Sequence, residues 1–321
     1  MKNKLKSSYP SENSSPIDIS IIIPVFNEEE NLSELYARLR KVMEKLKKVY
    51  EVIFVDDGSK DRSFTILKNL HKKDKRVEII KFSRNFGHHI ALSAGLDYCK
   101  GIVIVMMDAD LQDKPEYIPD LLSKIDQGYD IVYAIRKSQK SPFLDKLTSK
   151  IFYKLFSKLS KITTPQKAGT FRAMRKKVVN ILIKLSEKSR FIPGLIDWTG
   201  FKSTGVEVER DTRLEGRRKY NFLKRVKLGV TAVISFSHFP LQIAGYLGFL
   251  VAGLSFLWVI YLIVKKIIFG IPLIGYTSLI ISIFFLAGVQ LIVLGLIGEY
   301  IGKIFLEVQN RPLYIIDQII E

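Results

Sequence analysis

The sequence predicts an α/β domain, a mainly parallel sheet flanked by helices, fused to two C-terminal helices able to cross a bilayer. Three observations carry that expectation. From Ile17 onward short β-branched runs alternate with helical patterns, which is the signature of strand-helix-strand units. Acidic residues gather where those runs end. From Thr231 to Gly298 the only charged side chains are Lys265 and Lys266, although the chain as a whole holds 50 Lys+Arg and 32 Asp+Glu, a net charge of +18. With 321 residues, 47% of them hydrophobic, there is room for about two units, and disorder throughout is excluded.

In chain order, residues 1–16 are rich in serine and lack the apolar run of a signal peptide, so they read as a disordered polar tail. Residues 17–215 read as the sheet domain. Strands are expected at Ile19–Val25, Glu51–Asp56, Val77–Phe82, Ile102–Met107 and Asp130–Ile135, with helices near 29–48, 62–73, 86–99 and 116–127. Open sheets of this kind bind ligands at the carboxyl ends of their strands. Asn27 and Glu28, Asp56 and Asp57, and Asp108 and Asp110 all fall there.

Between 143 and 161, Lys146, Lys150, Lys154 and Lys158 recur every fourth residue, opposite Ile151, Phe152, Leu155 and Phe156. Such a helix suits the headgroup layer of a membrane. A second amphipathic element near 221–239, in a juxtamembrane region spanning 216–240, leads into a hairpin over 241–298. Its limbs, Leu241–Val264 and Ile271–Gly298, each exceed the ~20 residues that span a hydrocarbon core. Arg217, Arg218, Lys219, Lys224, Arg225 and Lys227 precede the hairpin, and Lys303 and Arg311 follow it. This bias predicts a two-pass protein with its catalytic domain and both termini in the cytoplasm, residues 299–321 being a C-terminal tail. Ala244, Gly248, Ala252, Gly298 and Gly302 let helix backbones approach closely in lipid, so a homo-oligomer through the membrane region is expected.

The single cysteine, Cys99, excludes an intrachain disulfide framework and a multi-cysteine zinc cage. His71, His88, His89 and His238 have no zinc-ligand spacing. No nucleic-acid motif accompanies the positive charge, which a lipid surface explains. The strings Gly-x-Gly-x-x-Gly and Gly-x4-Gly-Lys-Ser/Thr are absent, so neither glycine-built phosphate cradle applies. Strand-end acids instead suit Mg²⁺ or Mn²⁺ on a diphosphate, because these ions take one or two carboxylates and complete their shell with phosphate and water. An extended backbone through Asp108-Ala109-Asp110-Leu111-Gln112 would point Asp108, Asp110 and Gln112 the same way.

The runs Ile23-Pro24-Val25-Phe26-Asn27-Glu28-Glu29, Val55-Asp56-Asp57-Gly58-Ser59 and Asp108 to Gln112 resemble the family 2 glycosyltransferases of the GT-A fold. Ser83-Arg84-Asn85-Phe86-Gly87-His88, Ser189-Arg190-Phe191-Ile192 and Lys219-Tyr220 narrow the resemblance to polyprenyl-phosphate glycosyltransferases, the group containing dolichol-phosphate mannose synthase. The resemblance implies that one sugar passes, with inversion, from a UDP-glucose-like or GDP-mannose-like nucleotide sugar to undecaprenyl or dolichyl phosphate. It implies that Pro24, Phe26, Glu28 and Asp57 border the base and ribose, with Asp108, Ala109 and Asp110 completing the donor site. Asp108, Asp110 and Gln112 would hold the metal, and Arg136, Arg172, Arg213 and Lys219 would meet phosphate near the reacting centre.

Two departures stand out. Relatives often carry Gly-Asp-Phe-Arg where this chain has Gly169-Thr170-Phe171-Arg172, which removes a carboxylate that could act as a base. Arg218 also stands where relatives often have Ser, which bears on sugar or lipid preference. A processive polysaccharide synthase would carry Gln-x-x-Arg-Trp, and neither Trp198 nor Trp258 has it. A catalytically silent membrane scaffold would not need intact acids at Asp57, Asp108 and Asp110.

Overall fold

The computed structural model describes residues 17–136, 168–188, 190–209, 239–269 and 275–321. The polar tail, both amphipathic segments, Arg213 and Lys219 lie outside them. The described elements are β1 (Ile19–Val25), α1 (Leu32–Leu46), β2 (Tyr50–Asp56), α2 (Ser63–Lys73), β3 (Val77–Phe82), α3 (His88–Tyr98), β4 (Val103–Met106) and α4 (Ile118–Asp126). They continue with β5 (Ile131–Arg136), β6 (Ala168–Arg175), α5 (Lys176–Leu182), α6 (Ile192–Trp198) and β7 (Ser203–Val208). The hairpin helices are α7 (Phe239–Phe269) and α8 (Tyr276–Val308), and β8 (Ile316–Ile320) ends the chain.

Among the described residues the sheet runs β7-β5-β6-β4-β1-β2-β3-β8. The β4, β1, β2 and β3 strands are mutually parallel, whereas β6 runs antiparallel to both β4 and β5. Every residue of β1 is buried, because both sheet faces are covered and the usual in-out alternation of polarity has no solvent side to serve. Alternate β1 residues therefore feed two cores. Ile19, Ile21, Ile23 and Val25 pack with Leu35, Leu39 and Met43 of α1 and with Leu121 and Ile125 of α4. On the other face Ile22 packs with Leu92 and Leu96 of α3, Val178 of α5 and Leu195 of α6. Buried positions Leu32, Leu35, Tyr36, Leu39, Val42 and Met43 in α1 follow the three-and-four spacing of an amphipathic helix.

The structure revises the expected boundaries in two places that bear on function. The β4 strand ends at Met106 and Leu111 takes a left-handed φ of 57°, so the two-residue alternation expected through Gln112 does not hold. The segment expected as a tail after Gly298 instead extends α8 to Val308 and then returns as β8, antiparallel to the edge strand β3. Backbone hydrogen bonding continues the helix past Glu299 and Lys303, and a free sheet edge receives the last residues.

Leu254, Phe256, Leu257 and Trp258 of α7 are each at least 60% exposed, an apolar surface that water does not favour. Among the described residues one stretch, Phe285–Val308, is long and apolar enough to cross a membrane by length and composition, and α7 contributes the shorter apolar stretch Phe256–Lys265.

Candidate active site

Three loops at the carboxyl ends of β1, β2 and β3 are strapped together before any ligand arrives. The loop after β1 donates from Asn27 N to Ser59 Oγ (3.0 Å) and from Glu28 N to Ser63 Oγ (2.9 Å), while Lys60 N donates back to Asn27 Oδ1 (2.9 Å). The loop after β2 turns at Gly58, whose φ of +69° disfavours a side chain. A Cβ there would lie 2.5 Å from the backbone carbon of Arg84, so glycine lets the second and third loops touch. Beside it, the Asp57 carboxylate accepts the N–H groups of Phe86 (2.6 Å) and Gly87 (2.9 Å). Burial pushes the Asp57 carboxyl upward, and those two backbone donors oppose the shift.

These loops and the segment after β4 enclose a cavity of about 390 Å³, the size of a small-ligand site. Its wall is formed by Pro24, Val25, Phe26 and Glu28, by Asp57, by Asn85, Gly87 and His88, and by Asp108, Ala109 and Asp110. All seven residues expected in the donor site, namely Pro24, Phe26, Glu28, Asp57, Asp108, Ala109 and Asp110, therefore meet in one place. Gln112 is not part of the wall, and its backbone N–H donates to Asp110 Oδ1 at 3.2 Å. With Leu111 left-handed, Gln112 no longer shares a strand face with the two aspartates. The expectation of three aligned oxygen ligands is corrected on that point.

Among the described residues no group of three or more His, Cys, Asp or Glu forms a metal cage. Two hard carboxylates, Asp108 and Asp110, in one cavity fit Mg²⁺ or Mn²⁺, which leave most coordination positions to phosphate and water. A structural zinc site would demand four protein ligands.

Sequence reasoning missed His88. It opens α3 directly after Gly87, and its Nε2 lies 3.5 Å from Asp108 Oδ1 and 3.4 Å from Thr170 Oγ1. Its place at a helix start beside the glycine-containing loop was the available signal. Asn85 and Gly87 were likewise quoted only as pattern.

Arg172 is fully buried, beneath the wall and not on it. Its Nη2 donates to the Gly169 carbonyl at 2.5 Å, its Nε donates to the Thr170 carbonyl at 3.3 Å, and its guanidinium carbon sits 5.1 Å from the Tyr133 ring centre. Tyr133 in turn donates its hydroxyl to Asp197. Burial lowers the Arg172 pKa, opposed by the charges of Asp197, Tyr133 and Asp108, yet a guanidinium stays protonated in proteins. The cation thus braces the Thr170 segment from behind. The β5 strand ends on Arg136.

The residues 20–182 match Glycosyl transferase family 2, and residues 239–304 match the GtrB C-terminal hairpin. The uncharacterized glycosyltransferase YkcC of Bacillus subtilis is 46% identical over 303 residues, 94% of either chain. The SfII prophage-derived bactoprenol glucosyl transferase of Shigella flexneri is 42% identical over 299 residues, covering 93% of this chain and 97% of that protein. Among solved structures, mannosyltransferase PcManGT from Pyrobaculum calidifontis, in complex with GDP-Man and Mn²⁺, aligns at a TM-score of 0.50 and 16% identity over 70% of this chain and 66% of its own. At that identity it speaks for the fold alone.

Next to His88, the half-buried His89 ring packs edge to face on Phe191 with centroids 5.3 Å apart, and the desolvation there lowers its pKa to about 4. An unfolded histidine takes a proton near ~6.5, so between these values the unfolded chain binds more protons and stability falls as pH drops. At pH 5 the loss is about 2 kcal/mol. His89→Phe is expected to remove that component, so its stability difference between pH 7 and pH 5, measured by unfolding in detergent, should be smaller than wild type by roughly that amount. An identical pH dependence in both chains contradicts a desolvated neutral imidazole.

Proposed function

The chain belongs to glycosyl transferase family 2 and carries the GtrB C-terminal hairpin, and from that premise we propose that it moves one hexose from a nucleotide diphosphate sugar to a polyprenyl phosphate, with inversion, at the cytoplasmic face of a membrane. The observation that carries this reading is the convergence of Asp57, Asp108 and Asp110 on one strand-end cavity. Relatives named bactoprenol glucosyl transferases favour glucose as the sugar and bactoprenyl phosphate as the acceptor.

In the reaction an acceptor phosphate oxygen attacks the anomeric carbon from the side opposite the diphosphate. The new C–O bond forms as the bond to the diphosphate breaks, and the nucleoside diphosphate leaves with the electron pair. Pro24, Phe26, Glu28 and Asp57 take the base and ribose side of the cavity. Asp108 and Asp110 would hold Mg²⁺ or Mn²⁺, which would supply positive charge to offset that of the diphosphate. Arg136, Arg213 and Lys219 supply positive charge at the reacting phosphates, and Arg172 adds its field from beneath Thr170. No side-chain base is required, because a phosphate monoester with a second pKa near ~6 is already mostly ionised at neutral pH. Thr170, where a carboxylate could have stood, accords with that economy.

The two hairpin limbs cross the bilayer, with Lys265 and Lys266 on the far side and both termini on the cytoplasmic side. This topology is supported by β8, since the chain leaving α8 pairs with the catalytic sheet. A Cβ added at Gly248, Gly298 or Gly302 meets nothing within 4 Å, which leaves these close-approach positions available for self-association in lipid.

Membranes containing the protein, given a panel of radiolabelled nucleotide sugars and undecaprenyl phosphate, should convert one sugar into an organic-soluble product. Asp110→Ala should cut transfer by a hundredfold or more, on the order of the loss of a charge-stabilising group, while the chain stays folded. Transfer at full rate in excess chelator contradicts the metal assignment, and no organic-soluble label with any donor contradicts the acceptor.

Thr170→Asp separates base-free chemistry from base catalysis. An added anion beside the acceptor phosphate is expected to lower the rate by about tenfold through repulsion. A large gain would mean that a base had been missing.

A further inference from the structure

The last residues of the chain grip the donor cavity from outside. The β8 strand pairs with β3 along its length, and Lys81 Nζ meets Asp317 Oδ2 at 2.6 Å. Where β3 gives way to the 83–87 loop the ties become specific: Ser83 N donates to the Ile315 carbonyl at 3.0 Å, and the Tyr314 ring stacks on Phe82 with centroids 5.1 Å apart. Tyr314 also donates its hydroxyl to Asp97 Oδ2 at 2.7 Å, near the far end of α3. One side chain thus holds both the strand that enters the loop and the helix that leaves it.

That loop forms a wall of the cavity. Phe82 meets Phe86 edge to face at 5.6 Å, and Phe86 N and Gly87 N are the two donors on Asp57. The same C-terminal stretch meets the sheet domain a second time, where Glu307 in the last turn of α8 accepts the Lys188 N–H at 2.7 Å. We infer that Tyr314 is a positioning residue for donor binding, through which the chain returning from the membrane hairpin sets the 83–88 wall against Asp57. The inference rests on reading the cavity as the nucleotide-sugar site.

Beyond the ladder that β8 shares with β3, the aromatic stack on Phe82 and the Ser83 N–H fall at the cavity end of β3, while the tyrosine hydroxyl reaches Asp97 near the far end of α3. Tyr314 is not part of the cavity wall, and its ring and hydroxyl meet Phe82 and Asp97, so its loss should loosen the donor wall and leave the chemistry at Asp108 and Asp110 intact.

The test compares Tyr314→Ala with Tyr314→Phe in the full-length chain in detergent. The readouts are donor KM, acceptor KM, kcat, and direct binding of UDP and GDP with Mn²⁺. Tyr314→Ala should raise donor KM and weaken nucleotide binding by about tenfold, from the loss of an aromatic pair and its hydrogen bond. Acceptor KM and kcat should stay within about twofold. Tyr314→Phe, which keeps the stack, should recover most of the affinity. If Tyr314→Ala does not fold, Tyr314→Leu, which keeps apolar bulk without the ring, is read the same way. A folded Ala or Leu variant with wild-type donor KM and nucleotide affinity overturns the inference, as does a fall in kcat alone. Failure of the wild-type chain to bind either nucleotide instead sinks the donor-site reading, and this inference with it.

Discussion

Two backbone N–H groups from one loop, those of Phe86 and Gly87, end on one carboxylate in another, that of Asp57. Much of the site's shape depends on that clasp. Backbone donors at a strand end need partners once buried, and a carboxylate can accept both at once. Satisfying them here locks the loop after β3 to the loop after β2, which is itself strapped to the loop after β1 through Asn27, Ser59 and Ser63. Gly58 makes the approach possible, and α3 starts immediately after Gly87, so His88 arrives beside Asp108 by construction. The cavity is therefore largely pre-formed, which lowers the ordering cost of binding a flexible nucleotide sugar.

Behind the cavity a second constraint operates. A fully buried guanidinium, Arg172, holds the carbonyls of Gly169 and Thr170 beside the Tyr133–Asp197 pair. Burying a charge is costly unless it is well hydrogen-bonded, and the Nη1 of Arg172 has no hydrogen-bond partner among the described residues. A cation kept at such cost, with the charge of Asp108 acting on it, fits a centre where phosphates gather negative charge. The proposed base-free role of the Thr170 position is consistent with the same electrostatics, which favour a ligand that is already anionic.

Much of this was legible in the sequence, for physical reasons that differ by element. The β1 strand was readable to the residue because a strand buried on both faces is a nearly continuous apolar run, here broken only by Ser20, whose hydroxyl is satisfied by Glu51. The acids of the cavity were readable because strand ends of an open sheet are where ligands bind. The run from Asp108 to Gln112 misled because strand alternation was extended past Met106, and nothing in five residues announces that Leu111 will turn left-handed. The β8 strand was invisible because Ile316–Ile320 pairs with β3 across most of the chain, and an edge strand needs no local pattern beyond a few apolar residues. His88 was passed over because a histidine is weak evidence until its neighbours in space, Asp108 and Thr170, are known.

The central claim is that the donor cavity is held in shape by the Asp57 clasp, and Asp57→Asn tests it most directly. The amide keeps the volume and one acceptor, but it turns an NH₂ toward a backbone N–H and so releases half of the clasp. Binding of UDP and GDP with Mn²⁺, measured by calorimetry on the folded full-length variant, should weaken by about tenfold or more, as expected for a lost charge-assisted hydrogen bond. Wild-type nucleotide affinity in a folded Asp57→Asn chain would contradict the account.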